Sequence, residues 1–127
     1  MADVSLVTDV GMGIATNRMI GAGTEPKYIG WGTGTTAPTA GDTVLETPGA
    51  EARTAGASSR ATTDVSNDTY QVQGVITCAG SAKAITEVGL FDASADGNLF
   101  GRGTFSPINV SVGDSVQFTC KVKFDQG

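Results

Sequence analysis

Hydrophobic and polar residues alternate along most of the second half of this chain. The cleanest run lies near the C-terminus. There Val116, Phe118, Cys120, Val122 and Phe124 fall on one side and Gln117, Thr119, Lys121 and Lys123 on the other. That two-residue period belongs to a half-buried strand with its apolar side inward. Residues 69–78 repeat the pattern, with Tyr70, Val72, Ile76 and Cys78 on one face and Gln71, Gln73 and Thr77 on the other. Residues 58–65 precede them across a Ser66-Asn67-Asp68 turn, which predicts a hairpin. A second hairpin is predicted from 84–92 and 99–105, joined by Ala95-Asp96-Gly97-Asn98, and Ile108, Val110 and Val112 alternate up to Gly113-Asp114. Upstream, 27–32 reads as a first strand.

Ahead of that strand the period changes. Residues 8–20 predict a helix capped by Thr8 or Asp9, with Val10, Ile14 and Ala15 on one face and Gly21 ending it. Gly11 and Gly13 are expected to weaken it by about 1 kcal/mol each relative to Ala. Residues 33–42 are almost entirely Gly, Thr, Ala and Pro and read as a loop. A single helical turn is predicted at 43–46. A second loop over 47–56 carries Pro48, Gly49 and Gly56, and is expected to be mobile until something packs on it.

Composition points the same way. Val, Ile and Thr number 12, 6 and 17, against 4 Leu, 3 Met and 4 Glu. β-Branched side chains favour pleated sheets and straight-chain ones favour helices, so the class is mainly β. The expected fold is a β-sandwich or jelly roll with a short N-terminal helix. It forms one domain over 1–127, divided into an N-terminal arm at 1–7, the helix at 8–20 and a β core at 27–124.

Charge and chemistry mainly exclude. The net charge is −5, with carboxylates scattered singly, so no basic stripe exists to neutralise nucleic-acid phosphates. No apolar stretch approaches membrane-spanning length. Met1-Ala2-Asp3-Val4-Ser5 lacks the basic and apolar regions of a signal peptide, so cytoplasmic synthesis is expected. There is no histidine, which removes the usual general base and the commonest metal ligand. Two carboxylates alone could serve a glycosidase, yet most of the thirteen acids sit where turn geometry accounts for them. Asp92, Asp96 and Asn98 around Gly97 lack the spacing of a calcium loop and fit a hairpin turn. Neither Gly30-Trp31-Gly32-Thr33-Gly34 nor the other glycine clusters complete a nucleotide-binding motif; close backbone approach explains them. Trp31 is expected in the core. Cys78 and Cys120 face inward, either as buried thiols or as a cross-strand disulfide formed after release from the cell. No catalytic residue, cofactor or metal is expected.

Several blocks resemble bacteriophage virion proteins. Thr8-Asp9-x-Gly11, Thr16-Asn17-Arg18 and the run Gly23-Thr24-Glu25-Pro26-Lys27-Tyr28-Ile29-Gly30-Trp31-Gly32-Thr33-Gly34 look like the opening of small phage head or tail-fibre proteins. Ile85-Thr86-Glu87-Val88-Gly89-Leu90-Phe91-Asp92, followed by Asp96-Gly97-Asn98-Leu99-Phe100, is similar to the Glu-x-Gly-Leu-Phe-Asp hairpin of tail-collar and fibre domains. The resemblance implies a non-enzymatic virion component. A chain with no coiled-coil or β-helical shaft, starting at Met and ending just past its last strand, leads to the expectation of a capsid decoration (cement) protein. It would sit on the outer head surface, bind the major capsid protein and self-associate as a trimer or dimer. The alternative is a tail-fibre or tail-collar attachment module that binds a receptor. The expected contact elements are the arm through Val7 and the loops at 33–42 and 47–57.

Overall fold

The computed structural model describes residues 4–126. Eight strands and one helix follow in the order β1 (Val4–Val7), α1 (Asp9–Met19), β2 (Tyr28–Gly32), β3 (Thr54–Ala55), β4 (Ala57–Ala61), β5 (Thr69–Thr77), β6 (Lys83–Phe91), β7 (Leu99–Val110) and β8 (Ser115–Lys123). They form two antiparallel sheets, one of five strands in the order β1-β7-β6-β2-β3 and one of three in the order β4-β5-β8. The fold is the mainly-β sandwich that the alternation implies. Its core lies between the sheets: Ile29, Trp31, Ile85, Leu90 and Phe100 from the larger meet Val72, Ile76 and Phe118 from the smaller. Trp31 is buried, and its ring stands edge-on to Phe118 at 6.4 Å.

The predicted stripe in β8 points inward as far as Val122, but Phe124 lies past the strand end and is 53% exposed. Both thiols are free, with Cys78 buried and Cys120 half-buried. The predicted strand at 99–105 runs on without a break through Ile108 to Val110 as one strand, β7, and Val112 lies beyond its end. The register of β7 against β6 shifts between Ile85 and Glu87, opposite the stretch that holds Pro107. Proline cannot donate to a ladder, so a bulge is where it is tolerated.

Four expectations are corrected. Of the arm at 1–7, residues 1–3 lie outside the described residues, and Val4–Val7 is an edge strand paired with β7 from Val4↔Thr104 to Val7↔Gly101. The helical turn at 43–46 does not form; these residues are irregular. The strand expected over 58–65 stops at Ala61, because the Asp68 carboxylate gathers the backbone N–H groups of Thr63, Asp64 and Val65 into a turn. The loop expected over 47–56 holds β3, which pairs with β2, and the chain then crosses to the smaller sheet at Gly56.

The helix starts as predicted. Thr8 caps it by accepting the Gly11 N–H at 2.9 Å, and its hydroxyl donates to the Leu99 carbonyl at 2.6 Å. Its buried face is Gly11 and Ile14, while Val10 is outside. A Cβ on Gly11 would lie 2.0 Å from the Phe100 carbonyl oxygen, so glycine here lets α1 lie directly on β7.

Candidate functional site

The larger sheet has a second covered face. Along β6, Val88 and Leu90 turn toward the main core, while Glu87, Gly89 and Phe91 turn the other way. Residues 33–53 fold over that outer face, and Leu45 packs there against Phe91 and Leu99. Gly32 makes the close approach possible: a Cβ at that position would stand 2.3 Å from the Thr47 carbonyl oxygen.

Glu87 holds this cover down. Its side chain is 0% exposed. One carboxylate oxygen accepts Arg102 Nε at 2.9 Å and the Glu46 N–H at 3.0 Å. The other accepts the N–H groups of Gly34 and Thr47, each at 2.8 Å. Arg102, from the neighbouring strand β7, then reaches the Asp42 carboxylate at 3.0 Å and the Thr36 carbonyl at 2.9 Å. A buried ion pair gains little unless its remaining lone pairs and protons are also satisfied, and here the loop backbone satisfies them. The Asp42 carboxyl is held below the usual carboxylate range, chiefly by the Thr39 N–H, against a smaller opposing effect of burial and with help from the Thr39 hydroxyl and Arg102. Glu46 reaches back across the same loop to the N–H groups of Thr35 and Thr36 and to the Thr36 hydroxyl.

Two further anchors continue along the cover. Glu51 accepts Trp31 Nε1 and the Ala79 N–H, each at 2.9 Å, and pairs with Lys83. Burial alone would raise its pKa, but these donors outweigh burial and bring it down to about 2. Arg53 lies 3.4 Å over the Phe91 ring and donates to the carbonyls of Ala93 and Asp96. In the turn it holds, Asp92 accepts from the backbone and side chain of Asn98, and Asp96 and Gly97 take positive φ, so these residues form a hairpin turn. Among the described residues no three His, Cys, Asp or Glu side chains are grouped to hold a metal ion. Nor, among the described residues, is any helix long and apolar enough to cross a membrane.

The expected contact loops at 33–42 and, as far as Arg53, at 47–57 are therefore a third layer tied to the sheet from beneath, while 54–57 belong to the sheets themselves. They present Thr35, Thr36, Ala37, Thr39, Thr43 and Val44 outward from a fixed backbone. Sequence reasoning missed the Glu87–Arg102 pair that fixes them. The signal was present: Glu87 interrupts the apolar run from Ile85 to Leu90, and the predicted hairpin brings Arg102 alongside.

Where β1 and β8 edge the two sheets, the sandwich is open. A groove of about 380 Å³ runs between β1 and β8, lined by Val7, Val88, Phe118, Cys120 and Val122 among others. Burial pushes the Cys120 thiol up to about 11, which leaves it protonated and weakly nucleophilic at neutral pH.

Residues 18–122 match the protein family described as podophage GP4 fiber I protein gp80. Comparison with curated proteins and with solved structures found no match.

Proposed function

The chain belongs to the podophage GP4 fiber I protein gp80 family, a family of phage structural proteins, and from that premise we propose that it works in the tail fibre as a non-enzymatic attachment module. The observation that carries this reading is the family match across residues 18–122, which spans β2 to β8 and most of the core. It makes the chain a virion component. The fibre reading, expected above as the alternative, accords with the family; a place on the capsid surface draws no support from it.

The third layer supports an attachment role. Loops that must meet a partner lose less conformational freedom on binding when they are already fixed, and the Glu87–Arg102 anchor fixes 33–47 before any contact. The outward face of that layer is mostly Thr and Ala. The proposed role needs no catalysis, and the carboxylates of the layer are engaged in holding backbone and basic groups. Glu87 has a donor at each of four acceptor positions and none left for a substrate.

Adsorption tests the reading. Particles lacking this chain should keep intact, filled heads and lose adsorption to host cells. Particles that adsorb normally but burst under mild heating would favour the capsid surface instead.

A further inference from the structure

The sheet edges of this molecule are unequal. β1, β3 and β4 are edge strands of four, two and five residues, whereas β8 is an edge of nine. Short edges are one of the ways proteins avoid pairing with one another, and β8 does not use it. Nor does it contain a proline or a break in register: its pairing with β5 runs unbroken from Thr69↔Lys123 to Thr77↔Ser115.

The direction of its free hydrogen-bonding groups follows from the ends of that ladder. The Cys78 N–H donates to the Asp114 carbonyl at one end, and the Phe124 N–H donates to the Asp68 carbonyl at the other. With the register unbroken, even-numbered residues of β8 face β5. The N–H and C=O groups of Ser115, Gln117, Thr119, Lys121 and Lys123 point away from it. Along the same edge the inward side chains of Val116, Cys120 and Val122 are only half-buried, and Cys120 and Val122 line the open groove.

We propose that β8 pairs antiparallel with β8 of a second copy of this chain, joining two three-stranded sheets into one of six. The register that overlaps all nine residues has its two-fold axis at Thr119. It places Thr119 opposite Thr119 of the second copy, Gln117 opposite Lys121, and Ser115 opposite Lys123. Each lysine therefore meets a neutral polar side chain, and no like charges face each other. On the inner face Phe118 meets Cys120 and Val116 meets Val122, which extends the apolar side of β8 and covers its half-buried positions. All the outward backbone groups of the strand gain partners. The pairing rests on edge geometry alone and holds whether or not the fibre reading does.

The full-length protein should elute at twice its 12.8 kDa chain mass by light scattering. Gln117→Pro removes an N–H that β5 does not use, so it should give a monomer with wild-type circular dichroism. A cross-link gives a second readout should that variant fail to fold. Hydrogen-bonded antiparallel partners have Cα atoms about 5.5 Å apart, within disulfide range. Thr119→Cys in a Cys120→Ser background should thus form a covalent dimer on mild oxidation, and Val75→Cys in the same background, on the central strand, should not. A wild-type monomer, a wild-type trimer, or equal cross-linking by both cysteines overturns the proposal.

Discussion

Glu87 and Arg102 show how much one residue pair can carry in a small protein. Their burial costs solvation, and the loop backbone offsets that cost with three N–H groups and a carbonyl. Glu87→Gln leaves a guanidinium buried without its nearest countercharge and should destabilise the fold by about 3–5 kcal/mol, read as a lower denaturant midpoint. Replacing the pair together, Glu87→Leu with Arg102→Met, should cost less than the sum of the two single changes. Glu51 gives a pH signature. Its pKa falls from 4.5 to about 2 on folding, so its contribution is fully present above about 4.5 and is lost as pH drops toward 2. The stability gap between wild type and Glu51→Gln should be constant near neutrality and shrink across that window. A gap that stays unchanged down to pH 2 would contradict the assigned contacts.

At the scale of elements, two glycines in one helix separate propensity from packing. Gly13 has nothing within 4 Å of a would-be Cβ, so Gly13→Ala should stabilise by about 1 kcal/mol. Gly11→Ala gains the same propensity but drives its methyl into the Phe100 carbonyl, and thermal melts should show it destabilised. The sequence reading treats both as equal weaknesses, because the neighbour that distinguishes them lies nearly ninety positions away. Strands were more legible. Alternation in 69–78 and 115–123 depends only on which face is buried, and the structure keeps those faces. It fails at Phe124, which follows the end of β8 and is exposed, and it is silent on β1 and β3, whose few residues leave no period to read. Phe118→Ala should accordingly cost about 3–5 kcal/mol, and Phe124→Ala much less. Equal losses in chemical denaturation would mean that the end of β8 is misplaced. The loop at 47–56 reads as mobile because composition reports turn residues and not the buried carboxylates that anchor it.

For the whole molecule, the sandwich, the pinned third layer and the open β8 edge describe a block with two distinct surfaces, one a loop layer held to the sheet and the other an unpaired strand. Neither surface requires a long shaft or a catalytic cleft, and both suit a component that joins other parts of a particle. Membership in a podophage fibre family places that component in the virion. If the chain sits at the fibre, gold-labelled antibody against it, imaged on intact particles, should mark the tail fibres and leave the heads bare; gold spread over the capsid surface with unlabelled fibres would put the chain on the head instead.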